Sequence, residues 1–347
     1  MNLFDYIRPA SLDEALSAWE PGAAWLGGGT NLVDLMKTGA MAPGKVIDVT
    51  RLPGLDGIES LSDGSTRIGA LVRNSTLAHD PDFAADFPMV AEAILSGASG
   101  QLRNAATVGG NLVQRTRCAY FQDLWSPCDR RDPGTGCAAI GGETHNHAVI
   151  GWSDRCIATN PSDFAVPLAA LDAVVEVAGP SGQREIAMAA FHHLPGDTPE
   201  TETALAPGEL IVAIRLPAGA RAFKANSRYL KVRERTSFAF ALASCAASLR
   251  IEDGTIAEAR FALGAVAAKP WRVAEAEAML TAQPPGAALF SQAAERALKD
   301  AAPSGENAWK IDLARRTATR ALALAAAGTP ARMPALPAST FGEPAHA

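Results

Sequence analysis

Apolar and polar positions run in short blocks along the first part of the chain, each closed by a glycine-rich turn. Residues 23–26 are a short apolar run that stops at Gly27-Gly28-Gly29, and residues 45–49 and 66–72 are rich in β-branched side chains. That pattern predicts three short strands. From 84 to 99 apolar residues recur at helical spacing and the segment ends near Gly97 and Gly100, which predicts a helix. Residues 165–171 repeat the helical spacing, 173–178 alternate like a strand, Pro180-Ser181-Gly182 marks a turn, and 210–216 is a further strand.

The pattern changes after about residue 217. Runs at 229–232, 238–251 and 256–266 predict three strands, the last two joined by a hairpin at Asp253-Gly254. Three Ala-rich stretches at helical spacing follow, at 271–280, 287–299 and 307–326. Strands followed by helices predict an α+β module of its own. From 328 to 347 the chain is rich in Pro and Ala without periodicity and reads as an irregular tail.

Bulk composition narrows the function classes. The 347 residues are 48% hydrophobic and 20% charged, ordinary for a globular protein with room for two or three domains. A net charge of −6 and only 6% aromatics leave no basic face for nucleic acid. The longest uncharged apolar stretch, 238–249, is shorter than the ~20 residues of a membrane span. The N-terminal residues carry no basic region and no long apolar run, so the expectation is no membrane insertion and no export signal of the chain's own.

Two glycine elements carry the first chemistry. Gly27-Gly28-Gly29-Thr30-Asn31 follows a strand and precedes the helical signal Leu32, Leu35, Met36. Bare backbone N–H groups there can cradle a phosphate, although such a loop can also be only a turn. It is neither a dinucleotide-fold fingerprint nor a Walker loop. The second element, Thr107-Val108-Gly109-Gly110-Asn111-Leu112, offers the same close approach some 80 residues later. Two such loops favour a dinucleotide gripped from two sides.

The order Leu26 to Leu32, then Ile68-Gly69-Ala70, then Arg103 to Leu112, then Pro161-Ser162-Asp163-Phe164-Ala165, resembles the FAD-binding subunits of the xanthine dehydrogenase/aldehyde oxidoreductase family. Tyr229-Leu230-Lys231-Val232-Arg233 and Leu263-Gly264-Ala265 resemble that family's C-terminal flavoprotein domain. The resemblance implies an α+β, p-cresol methylhydroxylase-like FAD-binding fold over residues 1–218, in subdomains 1–55 and 56–218, and a C-terminal α+β domain of the CO dehydrogenase flavoprotein type at 224–327. It further implies FAD contacts from Leu26, Gly27, Gly28, Gly29, Thr30, Asn31 and Leu32, and a second wall from Thr107, Gly109, Gly110 and Asn111. Val113 would lie near the flavin, with Asp163 and Lys231 as further contacts. An acid such as Asp163 is also favoured simply by the start of a helix.

Four of the five cysteines, Cys118, Cys128, Cys137 and Cys156, fall within 39 residues, spaced C-x9-C-x8-C-x18-C, while Cys245 stands in an apolar run. They lie in a stretch, 115–157, that the plain family pattern lacks. No C-x2-C pair exists, so spacing alone leaves an iron–sulfur cluster, a zinc ion with His145 and His147 as spare ligands, and two disulfides all open. The insertion resembles that of three-subunit, periplasmic-type aldehyde oxidoreductases, which implies a [4Fe–4S] cluster on the four cysteines. Arg117, Arg130, Arg131 and Arg155 flank them, either to offset cluster charge or simply as solvated loop arginines.

The function so implied is an electron relay. A molybdopterin-binding large subunit would oxidise the substrate, with aldehydes the preferred class, and a small subunit would pass electrons through [2Fe–2S] centres to FAD here and on to an external acceptor. No catalytic residue is expected in this chain. Export would depend on a signal-bearing partner taking it to the periplasm; otherwise it stays in the cytoplasm. The competing class is a self-sufficient FAD oxidase of the same fold, for which His192-His193, expected in a surface turn, is the paired-histidine candidate.

Overall fold

The computed structural model describes residues 1–331, so most of the tail expected at 328–347 lies outside the described residues. Three sheets organise the chain. Strands β1 (Asp5–Ile7), β2 (Ala23–Leu26) and β3 (Lys45–Asp48) form a parallel sheet in the order β1-β3-β2. Parallel neighbours need crossovers, and helices Leu12–Ala18 and Leu32–Thr38 supply them. The first helix is absent from the sequence expectation. Its signal is the Ser11-x-x-Glu14 spacing of a capped helix start: the Glu14 N–H donates to Ser11 Oγ at 3.2 Å, while Glu14 Oε2 accepts from the N–H of Ala10, one residue before the cap, at 2.7 Å.

The second sheet is antiparallel, in the order β4-β5-β8-β6-β7, from Ile58–Ser60 (β4), Thr66–Gly69 (β5), Val174–Gly179 (β6), Gly182–Ala187 (β7) and Leu210–Leu216 (β8). Its main core gathers Ile68, Leu77, Met89, Val90, Phe164, Leu168 and Ile214, all buried. The helix expected at 84–99 is instead two, Pro81–Asp86 and Pro88–Ser96. Pro88 cannot donate into the preceding turn, and Phe87 leaves the helical region with φ −132°.

Strands β9 (Ser227–Val232), β10 (Ala243–Glu252) and β11 (Thr255–Gly264) make the third, antiparallel sheet. The expected hairpin is present, with Asp253 and Gly254 both at positive φ, 48° and 76°, as its two-residue turn requires. Helices Ala274–Ala278, Ala287–Ala297 and Trp309–Ala326 pack on this sheet through Ala276, Phe290, Ala294, Ala318 and Leu322. Two expectations shrink. The strand read from 238 begins only at Ala243, because Phe238 turns the chain at φ 51°. The helix read from 271 begins at Ala274, because Trp271 exchanges backbone hydrogen bonds with Leu263.

Residues 115–157 have almost no regular structure beyond the short helix Ala119–Gln122. They are anchored all the same. Phe121 is buried beside Leu35 of the helix after the first glycine loop and Ala40 just beyond that helix, and Val149 and Ile150 enter the C-terminal core. The Arg131 guanidinium donates to the carbonyls of Tyr120, Phe121, Asp123 and Ser126 at 3.1, 2.9, 2.8 and 2.6 Å. The buried ammonium of Lys310 donates to Asn146 O and His147 O at 3.1 and 2.9 Å, and burial pulls its pKa down to about 7. The segment is thus held by a small shared cluster at one end and by the C-terminal core at the other.

Candidate functional site

The two glycine elements dock on each other. A Cβ at Gly28 would lie 2.0 Å from the Ala105 carbonyl oxygen, and one at Gly27 would lie 2.8 Å from Thr107 Oγ1. Gly29 turns the chain at φ +74° into helix Leu32–Thr38. Glycine at 28 is therefore demanded first by neighbouring backbone, a constraint the expectation of a phosphate against it had left out.

Beyond this contact the two elements differ. Among the described residues the N–H groups of Gly28, Gly29, Thr30 and Asn31 meet no protein acceptor. In the second element the Val108 N–H donates to Val72 O at 3.0 Å, that of Gly109 to Ala70 O at 2.9 Å, that of Gly110 to Thr107 Oγ1 at 3.3 Å and that of Asn111 to Thr107 O at 2.9 Å. The first loop offers donors; the second is a rigid wall.

Between them opens a cavity of about 1220 Å³. Gly27, Gly28, Gly29, Thr30, Asn31, Leu32, Thr107, Gly110, Asn111, Val113, Asp163 and Lys231 all line it. Leu26 and Gly109 do not: Leu26 ends β2, and Gly109 is packed so that a Cβ would meet Ala70 at 2.9 Å. Asn31 Oδ1 accepts from the Arg115 N–H at 2.8 Å, which leaves its buried Nδ2 without a partner. Ser162 Oγ donates to Asn111 Oδ1 at 2.8 Å, tying the second element to the start of helix Ala165–Ala170.

Asp163 and Lys231 form one ion pair at 2.7 Å. Tyr229 donates its hydroxyl to Asp163 Oδ1 at 2.6 Å, and burial, with the Asp163 charge next, pushes the Tyr229 phenol well above its ordinary pKa. Sequence alone gave this tyrosine no role.

The four clustered cysteines ring a second, small void. None is disulfide-bonded. Cys118 Sγ sits 3.2 Å from His147 Nε2, Arg130 Nε donates to Cys156 Sγ at 3.4 Å, and Cys128 and Cys137 face each other across a bridge. Burial pushes the Cys118 thiol up to about 11 and raises that of Cys128. Among the described residues no three His, Cys, Asp or Glu side chains close on one point as ligands of a single ion would. Thr116, Cys118 and Tyr120 line both the void and the large cavity, so they form the partition between them.

The flanking arginines separate by role. Arg130 is buried and reaches Glu202 at 2.9 Å, and Arg115 pairs with the same carboxylate. Arg155 is exposed near Asp129 at 3.7 Å. Arg131 staples residues 120–126 through their carbonyls, and Arg117 lines the large cavity. Glu202 lies far along the chain in an irregular loop and had no sequence signal. His192 corrects the expectation of a surface turn. It is 3% exposed, its Nε2 is 2.8 Å from Leu112 O, and it lies outside the cavity wall. Burial pulls its pKa down to about 4.

Comparison with known proteins agrees with this architecture. Residues 2–219 match the family model "FAD binding domain in molybdopterin dehydrogenase", and 228–325 match "CO dehydrogenase flavoprotein C-terminal domain". The chain is 50% identical to the aldehyde oxidoreductase FAD-binding subunit PaoB of Escherichia coli K12, over 94% of this chain and 99% of that one. It is 26% identical, over 88% of each, to the xanthine dehydrogenase FAD-binding subunit of Escherichia coli O157:H7. The CO dehydrogenase of Oligotropha carboxidovorans superposes with a TM-score of 0.74 at 25% identity, over 94% of this chain and 99% of that one. Among the described residues no helix is long and apolar enough to cross a membrane. The chain belongs to the molybdenum hydroxylase family, as its FAD-binding, electron-transferring oxidoreductase subunit.

Proposed function

We propose that the chain holds one FAD non-covalently between its glycine elements and a [4Fe–4S] cluster on Cys118, Cys128, Cys137 and Cys156. On this reading it serves a heterotrimeric aldehyde oxidoreductase with a molybdopterin-binding large subunit and a [2Fe–2S] small subunit. The observation that carries it is the set of N–H groups without a protein acceptor at Gly28–Asn31, residues that line a cavity larger than the about 300–1000 Å³ usual for small-molecule sites.

Those N–H groups would hold the pyrophosphate, with the free Asn31 Nδ2 as a further donor. Thr107, Gly110 and Asn111 would bound the opposite side, and Val113 the flavin end. Neither glycine element contains a Cys or His to anchor the flavin covalently. Bound FAD supplies a carrier that takes up electrons in pairs and releases them to an acceptor.

Four reduced thiols ringing a void, rather than closing on a point, suit a multi-atom cluster better than one zinc ion. Arg130 and His147 direct nitrogen atoms at Cys156 and Cys118 and so would orient the thiolates. Aldehyde as the substrate class rests on the likeness to the aldehyde oxidoreductase subunit. The domain division, at about 218–224 with the insertion at 115–157, is kept on the same reading.

The competing oxidase reading needs a base at the flavin, and His192, spent on Leu112 O, does not supply it. The purified chain, given aldehydes and an artificial acceptor, is expected to show no turnover, yet to accept electrons from a chemical donor. Turnover is expected once the molybdopterin-binding and [2Fe–2S] partners are both added. Robust aldehyde oxidation by the chain alone would replace this reading with the oxidase.

A further inference from the structure

Arg117 sits in the insertion, next to Cys118, yet it does not face the cysteine void: it lines the large cavity and lies over the ring of Phe240 at 4.8 Å. Its neighbours in sequence that carry positive charge are spoken for. Arg115 and Arg130 share Glu202, and Arg131 is bound to backbone carbonyls. Arg117 pairs with no carboxylate among the described residues, and its Nε is buried without a partner. A desolvated cation with an idle donor is costly unless an anion completes it.

The placement says which anion. Asp34 lies in the first turn of the helix that follows Gly27–Asn31, and it lines the same cavity. The Arg115 N–H donates to Asn31 Oδ1 at 2.8 Å and Cys118 packs with Leu35, so Arg117, between them in sequence, stands on the side of the cavity where the free N–H groups of the first glycine loop are gathered. Those N–H groups suit a phosphate but carry no full charge. Asp34 would repel one.

We propose that Arg117 is a cofactor-binding residue, supplying the guanidinium that neutralises the pyrophosphate of FAD over the Gly27–Asn31 loop. The inference rests on the FAD reading and deepens it: the inserted segment, in addition to its cysteines, completes the flavin cradle. Because Arg117 adjoins Cys118, whatever orders the thiolates also orders this contact. By linkage, FAD and the cysteine centre each strengthen retention of the other.

The test is direct binding to the full chain stripped of flavin, with FAD, ADP and riboflavin as probes and iron content measured alongside. Arg117→Gln is expected to weaken FAD and ADP by roughly ten- to a hundredfold, the worth of a charge-assisted hydrogen bond, and to leave riboflavin unchanged. Arg117→Lys keeps the charge without the fork. It is expected to lose less for FAD and ADP, again with riboflavin unmoved, and it serves in place of the Gln variant should that one lose its iron. Unchanged FAD and ADP affinity in both variants would overturn the assignment. So would an equal loss for riboflavin, which would put the guanidinium against the flavin ring. Failure of the unaltered chain to bind FAD would instead remove the FAD reading beneath it.

Discussion

Lys231 on β9 holds its ammonium 2.7 Å from the carboxylate of Asp163, in a pair only 3% and 10% exposed on its two sides. The bond joins the C-terminal sheet to the segment that closes the large cavity, and Tyr229, two residues back on β9, donates to the same carboxylate. Removing one partner leaves the other as an uncompensated buried charge. Asp163→Ala is therefore expected to cost about 3–5 kcal/mol in urea unfolding and to lower FAD content with it. Asp163→Asn combined with Lys231→Met should recover much of the stability. A loss of about 0–1 kcal/mol for Asp163→Ala would mean the pair is screened as a surface bridge is.

Gly28 tests the docking of the two glycine elements. Gly28→Ala puts a methyl group 2.0 Å from the Ala105 carbonyl oxygen, where neither backbone can yield cheaply. FAD should be lost although the substituted atom faces protein. Gly22→Ala is the control: its φ of +87° strains an alanine, at a cost of about 1 kcal/mol, but nothing lies within reach of the new atom and FAD should stay. Full FAD content in Gly28→Ala, measured by flavin absorbance per chain, would disprove tight docking.

His192 makes the fold acid-sensitive. Its folded pKa of about 4 lies below the ordinary 6.5, so the unfolded chain takes up the proton first as pH falls. The stability it withholds grows between pH 6.5 and about 4, reaching about 3 kcal/mol at about 1.4 kcal/mol per pH unit, and is absent above that window. His192→Gln, which can still donate to Leu112 O, should flatten this part of a stability-versus-pH curve. An unchanged slope would assign the acid loss to other groups.

The cysteines divide four against one. Cys118→Ser, Cys128→Ser, Cys137→Ser and Cys156→Ser should each lose iron. The insertion should keep its place, because Phe121, Val149, Ile150 and Lys310 anchor it independently. Limited proteolysis of the variants should leave 115–157 protected; rapid cleavage there would show that the cysteine centre alone holds the loop. Cys245→Ser should leave iron unchanged and cost about 1–3 kcal/mol, since a hydroxyl replaces a fully buried thiol in β10.

The glycine elements were legible because close backbone approach demands glycine whatever it approaches. What Gly28 approaches, Ala105, was not, since that contact joins distant parts of the chain. The apolar run at 238–242 read as strand, but Phe238 and Phe240 are half exposed and line the cavity, and periodicity does not separate a cofactor wall from a core. Pro88 and the Ser11-x-x-Glu14 cap are local signals that apolar spacing passes over. Lys231 and Asp163 were each legible as polar residues of a motif, while their pairing, like that of Arg130 with Glu202, is a product of the fold.

The central claim is that one chain carries both centres, and cofactor stoichiometry on the purified chain tests it most directly. Acid precipitation should release one FAD per chain into the supernatant, and the same sample should contain about four irons and four acid-labile sulfides, as a Cys₄-ligated cubane does. Flavin held in the pellet, FMN in place of FAD, or one zinc without sulfide would contradict it.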